Sequence, residues 1–186
     1  MVSAVVLGLF AARFGADVVL AAYAVFGLSM VAISAVDLER WIIPNRIVYP
    51  TLALLIPLFV LASAVDHRWG SLGRAAISGV VAFLGFFALH LAVPKGMGFG
   101  DVRLAGVIGL ATGWLGFGHA FVGFFAGFVL GAVIGIVFIV VSGGGRKTKI
   151  PFGPFLAAGA VLSIVWGSPA AHALFHRCLL YTSRCV

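Results

Sequence analysis

The stretch VVLAAYAVFGLSMVAISAV, residues 18–36, runs without a charged side chain into DLERWIIPNR, residues 37–46. The first part has about the length of a helix that crosses a bilayer. The second part sets Asp37 at the end of that run, followed by Glu39, Arg40 and a break at Pro44. Only five acidic residues occur among 186, so an acid at this position stands out. Asp101 repeats the arrangement, with Gly98-Phe99-Gly100 before it and another apolar run after it.

The same alternation of apolar runs and short polar breaks extends over the chain. Hydrophobic residues make up 63% and charged residues 9%, against roughly 25% charged in soluble domains. The apolar runs do not alternate with polar residues as a membrane β-barrel requires. An all-α, polytopic membrane protein with about six transmembrane helices is therefore expected. Residues 1–12 form a short, partial leading helix, ended by Arg13 and Asp17. Spans follow over 18–36, 47–65 and 75–93, then a shorter fourth helix over 101–114, a fifth over 118–141 and a short sixth over 151–166. Pro50 and Pro57 are expected to bend the second span. The 25 glycines suit close helix packing in a membrane.

Residues 1–177 read as a single membrane-embedded domain. Residues 178–186 hold both cysteines, Cys178 and Cys185, and begin with a stretch that TGT-CTC-TTA-TAC-ACA-TCT encodes. That string resembles the end of a sequencing adapter, so this tail is expected to be non-native. No disulfide or thiolate metal site is then expected. His172 and His176 have a metal-compatible spacing but no third ligand beside them. No cleavable signal peptide is expected at the start, which lacks a basic n-region.

The net charge of +7 is no sign of nucleic-acid binding, because the basic residues sit in short breaks between apolar runs. Those after the first, third and fifth spans hold Arg40, Arg46, Lys95, Arg103, Arg146, Lys147 and Lys149. Those after the second and fourth hold Arg68 and Arg74. The positive-inside rule puts the first set in the cytoplasm. Asp37 and Asp101 then share one membrane face. Two carboxylates that meet cannot both ionise cheaply, so one keeps a proton while the other is a base. Such a pair can activate water and protonate a leaving amine, which is peptide hydrolysis without metal or nucleophilic side chain. Gly98 and Gly100 permit backbone angles closed to other residues and let another chain pass closely. Pro44 is expected to end the polar segment. His90, late in the third span, reads as packed or hydrogen-bonded. The blander readings are a helix cap for Asp101 and a solvated helix end for Asp37.

Three segments together resemble the type IV prepilin peptidase family of membrane aspartic proteases. They are Asp37-Leu38-Glu39-Arg40-Trp41-Ile42-Ile43-Pro44-Asn45, the Gly-x-Gly-Asp segment Gly98-Phe99-Gly100-Asp101-Val102-Arg103, and Ile150-Pro151-Phe152-Gly153-Pro154-Phe155-Leu156. The resemblance covers residues 18 to about 167. It implies that Asp37 and Asp101 are the catalytic pair, that Gly98 and Gly100 shape the site, and that Pro44 and Asn45 belong to the first motif. Arg103 stands where the family often has Lys, which keeps charge but not hydrogen-bond geometry. Glu39 is placed to steer a basic leader peptide. The implied partners are prepilin or pseudopilin precursors and the lipid bilayer, with no cofactor. The implied place is the bacterial inner membrane, with the active site toward the cytoplasm. Larger relatives carry an N-terminal domain with Cys-x-x-Cys pairs and methyltransferase activity, to which nothing here corresponds. The expectation is a short, single-function member or an N-truncated piece of a long one, without methylation. The rival readings are a non-enzymatic transporter, whose acids would sit nearer the bilayer midplane, and an inactive fragment.

Overall fold

The computed structural model describes residues 1–93, 97–142 and 151–182, with side chains left out at 139, 141, 142 and 168–182. The protein is an all-α polytopic membrane protein. Among the described residues seven helices follow one another: α1 (Val2–Phe14), α2 (Val19–Arg40), α3 (Asn45–Asp66), α4 (Trp69–Ala92), α5 (Phe99–Leu115), α6 (Phe117–Ser142) and α7 (Gly153–Thr182). Four of them, α2, α3, α4 and α6, are long and apolar enough to cross a membrane. By its 17 residues and a rise of about 1.5 Å each, α5 is about 25 Å long, short of the roughly 30 Å core. The basic loop 146–149 lies outside the described residues, as do Lys95, residues 183–186 of the suspected tail and the side chains of His172 and His176.

Several helix ends differ from the hydropathy pattern. Helix α2 continues through Asp37 to Arg40, because Leu38, Glu39 and Arg40 are good helix formers that need no apolar partner. It stops at Trp41, which takes the left-handed conformation at φ 58° and donates its N–H to the Asp37 carbonyl oxygen at 2.9 Å. Helix α4 starts at Trp69, so most of the expected connector is helical and Arg74 lies within α4, bonded to Ser71 Oγ at 2.9 Å. Only Gly116 separates α5 from α6, and its φ of 149° is one that other residues rarely adopt.

Helices α4 and α5 form one close pair, and α6 and α7 another; α2 packs on α1, α3 and α7. The close pairs depend on missing side chains. A methyl group on Gly109 would stand 2.6 Å from the Ser78 carbonyl oxygen, and one on Gly79 3.2 Å from the Gly106 oxygen. On α6, Gly123, Gly127 and Gly131 recur every fourth residue and meet Ser163, Leu156 and Phe152. This is the small-residue spacing that lets membrane helices touch at their backbones.

Helices α2 and α5 run in opposite directions, pinned by a buried hydrogen bond from Tyr23 Oη to the Ala111 carbonyl oxygen at 2.9 Å. Phe59 stacks on Trp114 at 4.8 Å and meets Tyr23 edge-on at 5.8 Å, filling that end of the bundle. From this pin, Asp37 lies about 21 Å along α2 and Asp101 about 15 Å along α5. Both aspartates therefore reach the opposite end of the bundle together.

Candidate active site

Asp37 stands in the last helical turn of α2 and is 5% exposed. Its Oδ2 accepts the backbone N–H of Gly153 at 3.1 Å, a buried bond between residues far apart in sequence. Gly153 is the first residue of α7, so Asp37 meets the positive end of that helix. Asp101 stands in the first turn of α5 and is 8% exposed. Its Oδ2 accepts the N–H of Gly98, the N-cap residue, at 3.2 Å. Asp101 is thus the third residue of its helix, not the cap. Both carboxylates follow one pattern, in which a backbone N–H donates to Oδ2.

Asp101 lies outside the four long apolar helices, and its pKa is raised to about 6. Burial is the main cause, the nearby charge of Asp37 adds to it, and the Gly98 N–H offsets part of the rise. The two carboxylates are therefore near enough for one charge to oppose the other. One proton held by the pair is the expected state below about pH 6, and both carboxyls are mostly ionised at neutral pH.

Neither glycine before Asp101 uses a left-handed backbone. Gly98 has φ −71° and ψ 146°, which any residue adopts, and the positive-φ glycines among the described residues are Gly15 and Gly116. The special angles that glycine permits are not used here. Space decides at Gly100, where a methyl group would stand 2.8 Å from Ile43 Cβ. The chain passing closely is this protein's own.

Ile43 had no role in the sequence reading. It is 8% exposed, and its Cδ1 would lie 3.5 Å from a methyl group on Gly153. It therefore wedges between the first turns of α5 and α7, beside both aspartates. Gly153 belonged to a recognised motif but had no assigned part. Its signal was a glycine opening an apolar helix after a proline. The partner across space was not readable.

The other expected site residues divide into two groups. Arg103 bonds the Asn45 side-chain oxygen, and its guanidinium lies over the rings of Phe99 at 4.5 Å and Tyr49 at 5.5 Å. Pro44 is the N-cap of α3 with φ −75° and ψ 123°, which sets Asn45 opposite Arg103. Glu39 is exposed. Since α2 continues past it, Glu39 projects about 200° around the helix from Asp37. His90 Nδ1 donates to the Met97 carbonyl oxygen at 2.8 Å and its ring meets Phe99 edge-on, which ties the end of α4 to the segment before Asp101.

On the face of α5 turned about 160° to 200° from Asp101, an apolar groove of about 540 Å³ opens between α3, α4 and α5. Tyr49, Phe99 and Arg103 line it at the aspartate end, and Val80, Phe83 and Leu110 line it further along.

Comparison with known proteins matches residues 24–140 to the type IV leader peptidase family. The match includes both aspartates and ends before Gly153. Similar curated proteins are named prepilin leader peptidase/N-methyltransferase. One from Burkholderia pseudomallei strain 1026b is 30% identical over 163 residues, covering 80% of this chain and 48% of its own. One from Aeromonas hydrophila is 29% identical over 143 residues, covering 74% and 47%. One from Bacillus subtilis strain 168 is 28% identical over 156 residues, covering 83% and 59%. The chain spans about half the length of the curated relatives it matches. No solved structure matches it significantly.

Proposed function

Because the chain belongs to the type IV leader peptidase family, we propose that it is an aspartic endopeptidase that removes the leader of type IV prepilins or pseudopilins. The observation that carries this reading is the pair of buried carboxylates at one end of the bundle, each holding a backbone N–H and each within reach of the other's charge. The ionised member takes a proton from water as the oxygen attacks the scissile carbonyl. The protonated member gives its proton to the leaving amine as the C–N bond breaks. Water needs a path to both, which the end of a membrane bundle provides. Arg40, Arg46 and Arg103 at this end support a cytoplasmic orientation in the bacterial inner membrane.

The test is direct. Detergent-purified protein incubated with a prepilin should release a leader cut after glycine, read by mass spectrometry of both products. An intact prepilin after prolonged incubation with folded protein would reject the reading and leave the transporter or inactive-fragment alternatives.

A pH dependence follows from the raised pKa of Asp101, about 6. Hydrolysis needs one protonated and one ionised carboxyl. As pH rises through that value the last shared proton leaves, so kcat/KM should fall by about tenfold per pH unit on the alkaline limb. Initial rates from pH 5 to 8.5 check this. A flat profile to pH 8.5 would count against a shared proton.

The groove beside Arg103 is proposed to receive the apolar helix of the precursor, since it opens sideways and ends at Phe99 and Arg103, level with Asp101 and across α5 from it. Val80→Trp would fill it, because Val80 lines the groove and is 57% exposed. The expected result is a KM raised about tenfold with kcat nearly unchanged. An unchanged KM would place the precursor elsewhere.

A further inference from the structure

We infer that Gly153 is a positioning residue for Asp37, with its backbone N–H setting which carboxylate oxygen is left to react. The inference rests on the reading of Asp37 and Asp101 as the hydrolytic pair, and adds a third chain segment to that site. Two features of one contact carry it. The N–H of Gly153 donates to Asp37 Oδ2 at 3.1 Å in a buried setting. A methyl group on Gly153 would stand 2.7 Å from that same oxygen. Hydrogen and missing side chain thus serve one contact: the first holds the carboxylate and the second makes room for it.

The chemistry follows. A carboxylate oxygen that accepts a fixed N–H is stabilised as an acceptor and is a poor place for a proton. The other oxygen of Asp37 is then the one left to hold or take a proton. Free rotation of the carboxyl group is lost, so the reactive oxygen is pre-oriented at no cost during the reaction. Ile43 completes the arrangement. It touches the space of both Gly100 and Gly153, so the first turns of α5 and α7 keep their spacing through one side chain.

The experiment compares full-length Gly153→Ala with Gly123→Ala. Gly123 is a close-packed glycine of the same helix pair, where a methyl group would lie 3.3 Å from Ser163 Cβ, and it does not approach either aspartate. Gly153→Ala should lower kcat at least 100-fold with KM within threefold, while Gly123→Ala keeps kcat within threefold. Adding Ile43→Val to Gly153→Ala should leave kcat low, because the new methyl group meets Asp37 Oδ2 at 2.7 Å but Ile43 Cδ1 only at an ordinary 3.5 Å. If Gly153→Ala melts below the assay temperature, it and Gly123→Ala are both assayed at a lower temperature where each is folded, with the same ratio of kcat expected. Equal kcat for Gly153→Ala and Gly123→Ala would overturn the inference. Should Asp37→Asn cleave like wild type, the hydrolytic reading itself fails. Should Asp37→Asn be inert while Gly153→Ala keeps its kcat, only the positioning role fails.

Discussion

Asp37→Asn and Asp101→Asn are each expected to lower prepilin cleavage by at least about 1,000-fold, and the double variant to be no slower than either single one. Asn keeps the shape of Asp but can neither carry a shared proton nor take one from water. The proposed mechanism makes the two groups one acid–base unit, so the loss should not be additive: a unit with one member missing is already idle. Folding should survive. In each variant the amide oxygen of the new side chain can still accept the backbone N–H that the carboxylate held, from Gly98 at position 101 and from Gly153 at position 37. The measurement is single-turnover cleavage of a prepilin by purified variants, with melting temperature as the control for fold. Residual cleavage above about one part in ten by either variant would remove that aspartate from the reaction.

Gly109→Leu is expected to cost about 3 kcal/mol or more of stability. Even a methyl group there would stand 2.6 Å from the Ser78 carbonyl oxygen and 2.8 Å from Ala82 Cβ. Neither neighbour can yield, since one is backbone and the other is fixed to it. Helix α5 would have to move off α4, and this would pull on the Tyr23–Ala111 bond that sets the register of α2 against α5. Asp101 would shift with it, so activity should fall along with stability. Gly8→Leu is the control: Gly8 has nothing within 4 Å of an added methyl group, so its melting temperature in detergent should stay near wild type. Similar melting temperatures for the two variants would mean that the backbones of α4 and α5 do not approach as closely as described.

How much of this was legible in the sequence varies by residue. Asp37 and Asp101 stood out through the motifs around them, since an acid at the end of an apolar run taken alone reads as readily as a helix cap or a solvated helix end. The glycines of α5 and α6 were legible as packing residues as a group, since backbone contact is what holds membrane helices together where no hydrophobic drive remains. The end of α2 was not. Hydropathy marks where a helix leaves lipid, whereas its hydrogen bonds continue as far as Leu38, Glu39 and Arg40 permit. That difference turns Glu39 away from Asp37 and moves Asp37 from a loop into a helical turn. The special backbone that glycine permits was also absent at Gly98. Sequence identifies a glycine but not which of its two freedoms, angle or space, is used.

The chain's own pattern of apolar runs determined that this protein is a bundle of membrane helices with two acids at helix ends, because the bilayer selects for run length and against charge wherever a segment lies. Tertiary structure alone decided that Ile43 sits between Gly100 and Gly153, and that the N–H opening α7 is spent on Asp37. Those contacts join segments more than fifty residues apart, and they depend on how helices are rotated about their axes. Rotation is set by the sum of many small packing contacts, which leaves no local mark in the order of residues.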